Sequence, residues 1–154
     1  MQADKKSTNF PFVSPGVKQG RTGTNSHFAF VTDDSGIYSA FELIKMKLID
    51  GCNSFLSLIY SVNDPVSQPL FVTELESLER RYFSQLITYY EYSGGISLPE
   101  TSEMNLRLLE IIINCNTCEK MQFLLLGREE FVANVTDRLQ FLGINSNQIN
   151  SQIF

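Results

Sequence analysis

From His27 onward, short uninterrupted apolar runs alternate with longer segments whose apolar residues recur at helical spacing. No other feature restricts the fold as much. The runs HFAFV (from His27), FLSLIYSV (from Phe55), QLITYYEYS (from Gln85) and MQFLLLG (from Met121) read as four strands. They lack the period-2 alternation of a strand with one wet face. Continuous apolar strands are covered on both sides, as in a parallel sheet flanked by helices. Between them, Phe41, Leu43, Ile44, Met46, Leu48 and Ile49 mark a helix with a wide apolar stripe that starts at Tyr38 or Ser39 and is closed by Gly51. Leu70, Phe71, Leu75, Leu78 and Tyr82 mark a second helix opened by Pro69. EMNLRLLEIII, capped by Thr101 or Ser102, is a third. Phe131, Val132, Val135, Leu139 and Leu142 line a fourth, with Gly143 just past its end, and INSQIF holds a last short strand. The fold class expected is α/β: a doubly wound, mostly parallel five-stranded sheet with helices on both faces.

Residues 1–26 are rich in Ser, Thr, Gly, Pro and Asn and show no sustained period, so they read as an extended lead-in to a domain over 27–154. Twelve Lys and Arg against seventeen Asp and Glu leave a net charge of −5, which argues against a nucleic-acid partner. No apolar run is long enough to span a bilayer and the polar start is no signal peptide, so a cytoplasmic protein is expected.

Doubly wound sheets bind ligands beyond the carboxyl ends of strands where the strand order reverses. The loops to watch follow Val31, Val62, Ser93 and Gly127. The first reads TDDSGIYSA, Thr32 to Ala40. A strand, a tight turn at Gly36 and a helix form a phosphate-binding junction, because a helix N-terminus offers free N–H groups to an anion. Asp33 and Asp34 place two carboxylates there. Unit charges 4 Å apart interact by about 4 kcal/mol at an effective dielectric near 20, so an unscreened carboxylate opposes a phosphate. The expectation is that both aspartates take the helix donors themselves and displace the phosphate.

Other motifs have plainer readings. Asp33 and Asp34 lack the His or Cys neighbours of a metal site, and Ser35 lacks a Gly-x-Ser-x-Gly elbow and suits a helix cap. CNTC, Cys115 to Cys118, has redox spacing but follows a helix, whereas a redox pair opens one. His27 and the Tyr89, Tyr90, Tyr92 cluster read as packing residues. No catalytic residue and no metal ligand is assigned.

From His27 to Phe154 the ordered residues resemble the NAD(P)-binding, Rossmann-like half of the ferredoxin reductase family. LIYSVNDPVSQPLFVTELESL follows the family's Leu-Ile-Tyr-Gly-x-Arg, short loop and Leu-Phe-x-x-Glu-Leu. GGIS, FLLLGREEFVANVTDRLQFLGI and INSQIF resemble its later segments. The first loop retains Gly36 and Ile37, with Ser35 for a threonine and Asp33–Asp34 for Gly-Gly. The resemblance implies an NAD(P)H-binding module of an oxidoreductase that passes hydride to a flavin on a separate domain or chain. It assigns cofactor contacts to Thr32, Asp33, Asp34, Ser35, Gly36, Ile37, Ser61, Asn63, Gly127, Arg128 and Phe154. It departs at Asn63 and Gly95, where the family has arginines, at Leu126 for a cysteine, at Arg128 for a proline and at Gln152 for a glutamate. No flavin-binding barrel fits into 26 residues, so no flavin is expected on this chain alone and a flavoprotein partner is implied. The alternative is a degenerate, inactive domain of the same fold that serves association or another ligand.

Overall fold

The computed structural model describes residues 26–50, 53–62, 69–92 and 99–154. The chain alternates through β1 (Ser26–Thr32), α1 (Ile37–Ile49), β2 (Ser54–Val62), α2 (Val72–Arg81), β3 (Leu86–Tyr92), α3 (Pro99–Asn114), β4 (Lys120–Gly127), α4 (Glu129–Phe141), a short 3-10 turn (Ser146–Gln148) and β5 (Ile149–Ile153). All five strands are parallel, in the order β3-β2-β1-β4-β5. The chain builds outward from β1 to β3, then returns to lay β4 on the other side of β1. The order therefore reverses between β1 and β4, where the first and fourth loops meet.

The apolar runs fold this way because each strand feeds two cores. On one face, Phe30, Leu56, Leu58, Tyr60 and Leu126 pack with Ile37, Ala40, Phe41, Ile44 and Leu48 of α1 and Leu75 of α2. On the other, Ala29, Val31, Ile59, Phe123 and Leu125 meet Leu109 and Ile112 of α3 and Val132, Val135 and Leu139 of α4. Alternate residues of β1, β2 and β4 thus enter opposite cores, which removes any polar face from the sequence pattern. Gly143 ends α4 with φ 94°; its N–H donates to the Gln140 carbonyl and that of Ile144 to Leu139. These are the paired bonds of a Schellman stop, which glycine adopts without strain.

Several boundaries differ from the sequence reading. The second helix opens after Phe71, which is its N-cap with φ 64°, so Leu70 and Phe71 precede the helix and Leu70 is exposed. Phe71 leaves the helical pattern because its ring stacks on Phe41 at 4.7 Å. The stripe on α1 is narrower than expected: Ile37, Ala40, Phe41, Ile44 and Leu48 are buried against the sheet, whereas Met46 and Ile49 are exposed. The third helix begins at Pro99, so Thr101 and Ser102 lie inside its first turn rather than at its cap. Proline suits that opening position because its missing N–H has no helical acceptor there. Ser26, the last residue of the expected lead-in over 1–26, opens β1; residues 1–25, Gly51, Asn63, Ser93 and the Gly94–Gly95 turn lie outside the described residues.

Candidate functional site

At the reversal point, Thr32 ends β1 fully buried and its hydroxyl donates to the Asp33 carbonyl at 3.0 Å. The next carboxylate is the centre of the site. Asp33 Oδ1 accepts from the Ser35 N–H at 2.9 Å, the Ser35 hydroxyl at 2.7 Å and the Gly36 N–H at 3.2 Å. Asp33 Oδ2 accepts from the Arg128 N–H at 3.2 Å and Arg128 Nε at 3.1 Å. The Asp33 side chain is 0% exposed while that of Arg128 is 57% exposed. A dry carboxylate is costly unless hydrogen-bonded and paired, and here five donors, one of them the Arg128 guanidinium, surround it. Burial alone would raise the Asp33 pKa; the bonds from Ser35 and Arg128 outweigh it and hold the group below its ordinary value.

Two glycines make the bridge fit. A Cβ on Gly127 would lie 2.6 Å from Asp33 Oδ1, so no side chain fits where the carboxylate crosses from the first loop to the fourth. A Cβ on Gly36 would lie 2.4 Å from the Leu126 carbonyl oxygen. Gly36 is therefore demanded by contact between the turn and β4. The Asp33 N–H donates to that same Leu126 carbonyl at 3.3 Å, and the Phe154 N–H donates to Gly127 O at 2.9 Å. The structure thus brings together Thr32, Asp33, Ser35, Gly36, Gly127, Arg128 and the Phe154 backbone.

The expectation for the two aspartates needs correction in its geometry. Asp33 takes the donors of Ser35, Gly36 and Arg128, all at or before the helix caps, and is turned into the loops rather than towards solvent. Ala40 is the first residue whose N–H enters the α1 ladder, onto Gly36 O, so the amides of Ile37, Tyr38 and Ser39 have no intrahelical acceptor. The Gly36 cap supplies no side-chain bond either. Asp34 turns elsewhere and accepts from the Tyr60 hydroxyl at 3.0 Å, while that hydroxyl accepts from the Leu70 N–H at 3.1 Å. Burial, with the Asp34 contact adding to it, pushes the Tyr60 pKa up. Tyr60 lies in the apolar run of β2, and only its place near the carboxyl end of that strand hinted at a role.

Other candidates separate from this cluster. Ile37 is a core residue, Ser61 is buried in β2 in register with Glu91, and Asn63 is outside the described residues. Leu126 belongs to the core beside α1. At the opposite end of the sheet, buried His27 joins three segments: its Nε2 lies 2.6 Å from Ser57 Oγ and its Nδ1 3.0 Å from Asn116 Oδ1. Asn116 Oδ1 is an acceptor, so Nδ1 carries the proton and Nε2 accepts from Ser57. The Asn of CNTC is thus structural, and both cysteines are free, with burial raising the Cys118 pKa. Glu91, buried at the end of β3, has its pKa pushed by burial to about 7. Among the described residues, no group of His, Cys, Asp and Glu could hold a metal ion, and no helix is long and apolar enough to cross a membrane.

No protein-family profile matches the sequence, and no curated protein matches it. Solved structures do. Ferredoxin–NADP+ reductase from Plasmodium falciparum, solved with 2'P-AMP, superposes with a TM-score of 0.65 at 16% identity, covering 84% of this chain and 52% of that one. The CS-b5R domains of human Ncb5or in the NAD+ form give 0.64 at 15% identity, covering 86% and 39%. The cytochrome b5 reductase domain of Ulva prolifera nitrate reductase gives 0.64 at 13%, covering 82% and 49%. This chain spans about half the length of these structures or less. The likeness is one of fold: an α/β domain with a parallel sheet, built like one part of these reductase structures.

Proposed function

We infer that this chain is an NAD(P)-binding module of a ferredoxin reductase-like oxidoreductase, which orients the nicotinamide towards a flavin held by a separate domain or chain. One observation carries the reading. The carboxylate that opposed an anion in the sequence is buried and compensated beneath the loops, at the reversal point where sheets of this class take their ligands. Above it, the first-turn amides of α1, which have no acceptor among the described residues, suit a pyrophosphate, and the half-exposed Arg128 guanidinium adds positive charge. Phe154, 46% exposed beside Gly127, borders the same crevice. A bound nicotinamide would supply the hydride for a flavin elsewhere, while the first-turn amides of α1 and Arg128 would hold and orient its pyrophosphate. Thr32, Asp33, Ser35, Gly36, Gly127 and Arg128 shape the floor of that site in this reading.

A second reading is favoured by the same bridge. Asp33 already uses the amides of Ser35 and Gly36, which a pyrophosphate would otherwise share, and it ties the two loops together. On this reading the fold is retained and the site closed, and the domain works through association. Calorimetric titration with NADH and NADPH separates the two. Micromolar binding supports the module; no heat up to millimolar cofactor supports the closed domain. Reduction of a flavoprotein partner by NAD(P)H, dependent on this chain, then tests hydride delivery.

A further inference from the structure

The two edges of the sheet are protected differently. In β3 the Gln85 carbonyl faces β2, where it accepts from the Leu56 N–H. By alternation the Thr88 N–H faces outward, and there the Glu79 carboxylate takes it at 2.8 Å. A charged side chain thus closes the middle of that edge to another strand, a known protective device. The β5 edge has no such cover among the described residues. Its Phe154 N–H faces β4, so the outward groups belong to Ile149, Ser151 and Ile153. Among the described residues, only the Ile149 N–H of these is used, by Ser146 O. Residues 143–154 also hold no charged residue and no proline, in a chain with 29 charged residues (12 + 17). Among the described residues, such an edge is open, and its side chains are uncharged.

We propose that β5 pairs antiparallel with β5 of a second copy, about a two-fold axis through Ser151, to give one continuous sheet of ten strands. The strand matches itself in that arrangement. Ser151 opposite Ser151 exchanges two hydrogen bonds, and each Ile153 N–H donates to the Ile149 carbonyl of the other copy, adding two more. Both Ile149 N–H groups stay on Ser146. The axis keeps each face on its own side, so Ile149 stands opposite Ile153 on one face and Asn150 opposite Gln152 on the other. Ile153 is 51% exposed and gains a β-branched partner of the kind that stabilises antiparallel pairs. A second copy is favoured over an acidic or basic strand because a neutral edge offers neither anything to pair with. The symmetry is that of an isologous dimer, in which the same patch meets itself.

Sedimentation velocity of the full chain, under reducing conditions so that exposed Cys115 forms no cross-link, tests this. The expected result is reversible dimerisation, from 17.5 kDa to about twice that mass, across the micromolar range. Ser151→Lys sets two like charges at the axis and should weaken dimerisation at least tenfold with unchanged thermal stability. Ser151→Pro removes an outward N–H at a position where an edge strand tolerates proline and should weaken dimerisation as well. Ile87→Lys, on the β3 edge, should leave it unchanged. A monomer at several hundred micromolar, or a dimer that survives both Ser151 substitutions, overturns the proposal. So does a dimer that Ile87→Lys abolishes.

Discussion

Asp33→Asn is the sharpest probe of the bridge beneath the crevice. Asparagine keeps Oδ1 as an acceptor for the Ser35 and Gly36 amides but turns the other arm into a donor. That NH2 then faces the Arg128 N–H and Nε, which donated to the carboxylate at 3.2 and 3.1 Å. Two charge-assisted bonds are lost, each contributing about 1.5–3 kcal/mol when well shielded. Arg128 is 57% exposed, so its guanidinium regains water and the loss is discounted to about 2–3 kcal/mol in total. For a domain of this size that lowers Tm by roughly 5–10 °C. Arg128→Ala removes the Nε bond but keeps the backbone bond, and should cost about 1 kcal/mol or less. The double variant should show coupling of about 1 kcal/mol between the two positions. Urea unfolding of the four proteins at pH 7 measures this. The Asp33 pKa lies below its ordinary 3.8, so its contribution is full above that value and fades as pH falls through the lower folded one. The deficit of Asp33→Asn should therefore shrink in acid. A stability within about 0.5 kcal/mol of the parent at pH 7, or a deficit independent of pH, refutes the bridge.

Gly127→Ala should destabilise by about 1–3 kcal/mol, because its Cβ meets the carboxylate at 2.6 Å with no room to yield, and chemical denaturation reads the change. Glu91, with its pKa raised from 4.5 to about 7, stabilises the fold below pH 4.5 and loses that contribution as pH rises through 7. Glu91→Gln should then be more stable than the parent at pH 8, by up to about 3 kcal/mol, and differ little at pH 4. His27 titrates below its ordinary 6.5, chiefly through burial, so stability should fall as pH drops below 6.5. A His27→Gln variant without that acid loss in a Tm–pH profile identifies the residue. Replacing Asp33 and Asp34 by glycine, which the charge pattern alone suggested would aid an anion, should instead weaken NAD(P)H binding in titration by loosening the loops.

The fold was legible because its signal is distributed. Four apolar runs and four amphipathic segments fix the order of elements, and burial on both faces specifies parallel pairing without any single decisive residue. The candidate site could be placed at a loop, but the direction of its side chains could not be read. TDDSGIYSA marked the turn, yet nothing in it says that Asp33 reaches into the loop towards Arg128, 95 residues later. That contact depends on β4 lying beside β1, which only the completed sheet provides. The Tyr60 hydroxyl and the His27–Ser57 pair were hidden for the same reason: polar atoms inside apolar runs gain partners from other strands. Phe71 was misplaced because ring stacking with Phe41 overrides helical spacing.

We propose that the crevice above Asp33 takes NAD(P)H. Isothermal titration of the unaltered chain with NADH and NADPH, at matched ionic strength, tests it most directly. The prediction is one saturable site with micromolar affinity for at least one of the two cofactors, weakened about tenfold or more in Arg128→Ala. No saturable heat with either cofactor up to millimolar concentration, from a protein shown to be folded, would contradict it.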